Sequence, residues 1–218
     1  MATGLKAVAT ACVLAGLSLL AAPAQAQDIT MDKTAGDWLV RVRGIGVLPD
    51  ESSSVTPIGG EVDLSNEFVP EVDLSYFVTD NIAFELIAAT ARHDVSDNGS
   101  TLGDVDLGEV SHLPPTLTLQ YHFMPKQRFS PYVGAGLNYT IFYNADAPGG
   151  AVTSVHYDNG WGYALQAGFD VAVAENWSVN VDVKKLFIDT SVAINGGAVN
   201  ASVDLDPWVV GLGVGYKF

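Results

Sequence analysis

The sequence predicts an all-β chain: an eight-stranded antiparallel transmembrane β-barrel with short periplasmic turns and long extracellular loops. Three observations predict it. Apolar and polar residues alternate with period two in eight successive runs, most of them near the roughly 9–11 residues with which a tilted strand crosses a bilayer. The connections between the runs are alternately short and long, as in barrels that sort their loops to the two sides of a membrane. Past residue 26, no apolar stretch approaches the roughly 18–20 residues that a spanning helix needs.

The first 26 of the 218 residues read as a cleaved secretory signal peptide. Lys6 gives the positive start, 7–20 are apolar, and Ala24-Gln25-Ala26 fits a small-residue cleavage site. Cys12, the one cysteine, lies inside the apolar stretch, so the expected barrel domain, 27–218, can form no disulfide. The first three strands are assigned to 37–47, 70–78 and 82–91. The fourth, 113–123, is the cleanest: Leu117, Leu119, Tyr121 and Phe123 share one face, and Thr116, Thr118, Gln120 and His122 the other. In the fifth, 132–143, Val133, Ala135, Leu137, Tyr139, Ile141 and Tyr143 oppose Gly134, Gly136, Asn138 and Thr140. In the sixth, 161–173, every odd position is apolar or aromatic. The seventh covers 177–188, and the eighth, 208–218, sets Trp208, Val210, Leu212, Val214, Tyr216 and Phe218 against Gly211, Gly213, Gly215 and Lys217.

The connections 79–81, 124–130 and 174–176 are short, whereas 48–69, 92–111, 144–160 and 189–204 are long and polar. Alternation then assigns the faces. Inward positions hold Arg41, Arg43, Asp73, Glu85, Asp170, Asp182 and Lys184, whose signs allow pairing inside a narrow barrel. Ile87 shares their parity. Outward, the one ionisable side chain well within a strand is Lys185, close enough to the long-loop end to snorkel. Aromatics gather at the outward strand ends (Trp38, Tyr76, Phe123, Tyr143, Trp161, Trp177, Trp208, Phe218), as interfacial girdles do.

Composition and size narrow the function. Asp and Glu number 25 against 10 Lys and Arg, a net charge of −15, which leaves no basic surface for nucleic acid. Eight strands enclose room only for side chains or one small ligand, so a wide porin channel is excluded. The charged lumen residues serve either as filling or as parts of a binding or conducting path. Gly44 and Gly46 in the first strand, and Pro114 and Pro115 in the fourth, are candidate weak points for a lateral opening near the long-loop end, since proline removes ladder donors. His93 and His112 sit where one strand ends and the next begins across a long loop, which makes them candidate rim neighbours, with Ser111 close in sequence. No Ser/His/acid spacing within the strands supports hydrolysis, and no catalytic residue is assigned. Asp94, Asp97, Asp104, Asp106 and Glu109 form an acidic loop with oxygen ligands suited to a divalent cation, but their spacing fits no EF-hand, and no metal site or cofactor is assigned. Gly134 and Gly136 lack the following helix of a phosphate loop and instead make room for neighbouring lumen side chains.

Several motifs resemble the outer membrane protein W family in matching order along nearly all of 27–218. They are Asp80-Asn81-Ile82 with Glu85 and 88–90, His112-Leu113-Pro114-Pro115-Thr116, Pro131-Tyr132-Val133-Gly134-Ala135-Gly136 with 138–140, and Leu205-Asp206-Pro207-Trp208-Val209 ending in Gly215-Tyr216 and Phe218. The resemblance implies an outer-membrane barrel with a narrow, largely apolar lumen that helps small hydrophobic molecules across. Ile87 matches a family lumen position that is apolar. The sequence departs at Lys184, where the family pattern has a large apolar residue. Phe218, closing an aromatic-ended last strand, resembles the signal read by the barrel-assembly machinery. The expected partners are that machinery, outer-membrane lipids and lipopolysaccharide, and small hydrophobic solutes. The alternative function is a structural or surface-recognition barrel whose extracellular loops act as docking sites.

Overall fold

A computed structural model describes residues 29–50, 52–57, 59–101, 103–150 and 152–218. The expected signal peptide, 1–26, and Cys12 within it lie outside the described residues. Fifteen strands follow one another: β1 (Trp38–Leu48), β2 (Ser52–Thr56), β3 (Glu61–Leu64), β4 (Glu67–Phe77), β5 (Ile82–Ala89), β6 (Ala91–Ser100), β7 (Gly103–Leu113), β8 (Thr116–His122), β9 (Phe129–Asp146), β10 (Val155–Tyr157), β11 (Gly160–Ala172), β12 (Trp177–Phe187), β13 (Asp189–Ile194), β14 (Val199–Asp204) and β15 (Trp208–Lys217).

Eight of them close a ring. The hydrogen-bonded order β11-β12-β15-β1-β4-β5-β8-β9 returns to β11 through the β9–β11 pairing, every contact antiparallel. Each of the eight predicted runs is one of these strands, with ends shifted by a few residues. Closure leaves no free edge in the ring, so its backbone groups are satisfied without water. The outer wall is apolar: Val42, Leu86, Leu119, Leu165 and Leu212 are each about half exposed or more, at 49, 52, 49, 52 and 62%. An apolar coat this continuous far exceeds what a protein surrounded by water exposes. The girdle aromatics all lie on this wall, with Trp38 against Tyr76 (ring centroids 4.7 Å) and Tyr216 against both Trp177 (4.9 Å) and Phe218 (4.8 Å) at the short-turn end.

The long connections differ from expectation. They are not polar loops but strands that carry the barrel walls outward: β3, β6 and β7 continue one side, joined to β9, and β10-β13-β14-β2 form a second sheet. Their inward positions make an apolar core with Val55, Val62, Val95, Leu107, Val192 and Val203 buried. β2, β3, β10, β13 and β14 are only three to six residues long, and the β6–β7 pairing shifts register at Val95/Ser96 and again at Asp97/Ser100, which hides the alternation in the sequence.

Candidate functional site

The lumen contains two chemically opposite compartments. The lower one, toward the short turns, is ionic. All seven predicted inward charges are buried there, and Glu71 and Lys33 join them. Glu85 sits at the centre. Its Oε1 accepts from Arg41 Nη1 (3.1 Å) and Arg43 Nη2 (3.0 Å), and its Oε2 from Gln120 Nε2 (2.7 Å), Gln166 Nε2 (2.9 Å) and Thr118 Oγ1 (3.2 Å). Arg41 also donates through Nε and Nη2 to Asp170 (3.1 and 2.9 Å) and through Nη1 to Asp73 (3.2 Å). Arg43 pairs with Asp73, Glu71 and Asp182. Tyr132 donates to Asp182 (2.6 Å) and lies under the Arg41 guanidinium, 5.3 Å from its ring centroid.

The fit depends on missing side chains. The inward positions of β15 above and below the arginines are Gly211, Gly213 and Gly215; a methyl on Gly213 would fall 2.6 Å from Arg43 Cγ, and one on Gly215 3.3 Å from Arg41 Cγ. Gly134 and Gly136 make the same kind of room, for Gln166 and Thr118, as the sequence suggests.

Below the network, the segment preceding β1 folds back into the barrel mouth. Lys33 Nζ donates to Asp170 Oδ2 (2.7 Å) and Ser130 Oγ (2.9 Å) and lies 3.1 Å from His122 Nδ1. Met31 packs in a small apolar cluster with Leu39, Phe77, Ala83 and Ala172. Four cations (Lys33, Arg41, Arg43, Lys184) thus face five carboxylates (Glu71, Asp73, Glu85, Asp170, Asp182), all buried. Charges cross-linked this densely form a plug. Alternation could have found Glu71, which shares the parity of Asp73 in the same run. Lys33 precedes the alternating pattern and has no sequence signal.

The upper compartment is apolar. A cavity of about 470 Å³, counting its open mouth, lies directly on the ionic floor; Ile45, Val47, Ile87, Ala89, Leu186 and Val209 form its apolar walls. The floor shows through as Glu71 and Lys184, and His112, Pro114 and Thr116 complete one side. A second apolar cavity, lined by residues such as Val62, Leu107, Val110 and Phe142, lies within the extracellular extension. Ile87 therefore stands at the boundary between oil and charge, buried to 4% exposure. Lys184, the departure from the pattern that the family resemblance implies, has its ammonium held by Glu71 Oε1 and Asp182 Oδ1, both at 2.8 Å.

Beside this cavity the wall is interrupted. The β5–β8 ladder ends at Ile87↔Thr116, and β6–β7 pairing resumes only at Ala91↔His112. Between them, 88–90 face 113–115 without ladder pairs across that seam, and two of the latter, Pro114 and Pro115, lack an N–H. Thr90 Oγ1 bridges the gap to the His112 carbonyl (3.2 Å) and to the Tyr143 hydroxyl. Gly44 and Gly46 stand differently from expectation. The ladders of β1 run through both residues on either side, Gly44 opposite Leu212 and Pro70, Gly46 opposite Val210 and Phe68. Small size does not weaken a strand that is fully paired, and the Phe68 ring covers Gly44 from outside.

The remaining candidates have structural partners. His93 and His112 stack (centroids 5.1 Å, 16° between planes), and His93 Nδ1 lies 2.7 Å from the Ser65 carbonyl. Burial, then the neighbouring His93, lowers the His112 pKa to about 4, so this ring is neutral at ordinary pH. Among the described residues no three His, Cys, Asp or Glu side chains converge on a metal-sized site. Lys185 reaches the rim rather than headgroups alone, donating to Asp50 Oδ2 (2.9 Å) and the Asp206 carbonyl (2.5 Å) beside Trp208. Phe218 is 70% exposed on the outer wall, and its N–H donates to the Trp38 carbonyl (2.8 Å).

A lipid-facing closed barrel with an apolar vestibule over a charged plug defines a multi-pass β-barrel of the cell outer membrane. The chain belongs to the OmpW family, whose model matches residues 34–218. It is 36% identical over 215 residues to outer membrane protein W of Vibrio cholerae serotype O1, covering 94% of this chain and 98% of that one. It is 29% identical over 218 residues to the dibenzothiophene metabolism operon protein PahQ of Pseudomonas aeruginosa, covering 96% and 98%. The crystal structure of OprG from Pseudomonas aeruginosa is similar with a TM-score of 0.81 at 33% identity, covering 86% of this chain and 98% of that one.

Proposed function

We infer that the protein passes small, mainly hydrophobic molecules from outside into its vestibule and releases them sideways into the membrane. The observation that carries this reading is the wall interruption at 88–90 and 113–115, which adjoins the cavity resting on the plug. An apolar solute leaving water gains roughly 25 cal/mol per Å² of surface it buries, whereas an ion entering the plug would have to displace charges that already satisfy one another. The floor favours a sideways exit over a downward one. Transport is then a matter of partition and not of chemistry, and no enzymatic step is part of the reading. The relative PahQ is named as a dibenzothiophene metabolism operon protein, and dibenzothiophene is an apolar aromatic compound, which supports an apolar solute class. The surroundings that follow are outer-membrane lipid and lipopolysaccharide against the wall, and a barrel-assembly machinery that reads Phe218.

Uptake of a hydrophobic fluorescent probe into proteoliposomes tests the reading. Wild-type protein should speed entry over protein-free vesicles, and Ile87→Asp, which puts a charge at the foot of the vestibule, should remove most of that gain while the barrel stays folded. Equal rates for wild type, variant and empty vesicles would sink the conduit. Surface recognition would then be the better account, since the strand-built extension projects exposed carboxylates such as those of Asp50 and Asp146 (68 and 69% exposed).

A further inference from the structure

The vestibule floor is not a plain boundary. It offers a vacant donor and a vacant acceptor side by side. Lys184 Nζ gives two of its three hydrogens to Glu71 Oε1 and Asp182 Oδ1, and the third has no acceptor among the described residues. Glu71 uses Oε1 for Lys184, with Arg43 Nε 3.2 Å from the same oxygen, and no side chain or backbone N–H donates to its Oε2 among the described residues. Both side chains line the cavity, under walls that are otherwise hydrocarbon apart from His112 and Thr116. One strand further round, Asn138, paired with Thr116, is buried with neither amide atom hydrogen-bonded. Buried polar groups without partners mark places where water or a ligand group completes the bonding.

We propose that the vestibule selects slender apolar molecules bearing one hydroxyl, which binds the Glu71–Lys184 pair by donating to Glu71 Oε2 and accepting from Lys184 Nζ. The inference rests on the conduit reading and narrows its solute class. A pure hydrocarbon leaves both groups vacant. A carboxylate supplies acceptors only and meets a floor where five buried carboxylates already face four cations. A hydroxyl is neutral and does both.

The test is titration of the ¹³C-methyl-labelled isoleucines of the full protein in lipid nanodiscs, with Ile45 and Ile87 as reporters of cavity occupancy and affinities referred to the free aqueous probe. The probes are 2-naphthol, naphthalene and 2-methoxynaphthalene. In the double variant E71L/K184L the floor loses one charge of each sign, and 2-naphthol, which loses two hydrogen bonds to charged groups, should bind at least about tenfold more weakly. Naphthalene should bind as well as before or better. If 2-naphthol loses no more than naphthalene does, the selection is overturned and the conduit stands. If no probe shifts the two methyls in wild type, the conduit reading itself is overturned. Wild type alone gives a second answer should the double variant not insert. The methoxy compound is more apolar but cannot donate, so it should bind more weakly than 2-naphthol, and equal or tighter binding also overturns the selection.

Discussion

At the scale of single residues, the lumen reverses the intuition that a charge in an apolar path is an obstacle. The family resemblance makes Lys184 a departure from an apolar position, yet its ammonium pairs with both Glu71 and Asp182. Lys184→Leu should therefore destabilise the barrel by about 3–5 kcal/mol, because it leaves buried carboxylates unpaired; replacing both Glu71 and Lys184 by leucine should cost much less. Urea unfolding in lipid measures both, and a single variant as stable as the double would contradict the pairing. His112 gives a prediction outside the spanning strands. Its lowered pKa means that the unfolded chain takes up this proton from about pH 6.5 downward while the folded ring holds out to about 4. Stability of the β6–β7 hairpin should accordingly fall across that window as the pH drops. An NMR titration of the His112 ring should show a midpoint well below 6.5, and an ordinary midpoint would mean that the His93 stack is open in solution. Most of these residues were legible by parity, since a barrel strand has two faces and buried charge can lie only on the inner one. Lys33 was not legible, because its place comes from a fold-back that no periodicity records.

At the scale of elements, Pro114 and Pro115 did what proline chemistry requires, ending one ladder and delaying the next. The glycines of β1 did not, because pairing depends on backbone groups and glycine has both. The interrupted seam should exchange early the amide hydrogen that faces it: Ala89 ahead of Ile87 and Thr116, whose N–H groups point into the continuous part of the β5–β8 ladder. Uniform protection along the two strands would remove the proposed exit. The last strand carries its own prediction. Deleting Phe218 removes an exposed ring and one hydrogen bond to Trp38, too little to change the fold, so insertion yield should fall while inserted barrels keep their heat-modifiable migration. An unchanged yield would leave Phe218 as a girdle residue. The strands of the extension escaped the sequence reading because their alternation spans three to six residues at a time in β10, β13 and β14.

For the whole molecule, the arrangement of solvents is inverted: hydrocarbon outside, charge within, and a second, conventional apolar core above the membrane. The ring was legible because lipid permits only closed pairing and tilt fixes strand length. The two-compartment lumen was not, since which charges pair across a barrel depends on stagger between strands distant in sequence, as Arg41 and Asp170 are. One feature of that interior bears on how the ring is completed. The strand that closes it, β15, presents three consecutive inward glycines, Gly211, Gly213 and Gly215, beside the arginines of β1. It is a smooth key sliding into a lock whose wards are already set: Arg41 and Arg43 can reach their carboxylates on β4, β5, β11 and β12 before the last strand docks, and its arrival displaces none of them. Gly213→Ala would put a tooth on that key, 2.1 Å from the Val42 carbonyl, and should trap the chain as an unclosed sheet that runs on a gel as unfolded protein whether boiled or not.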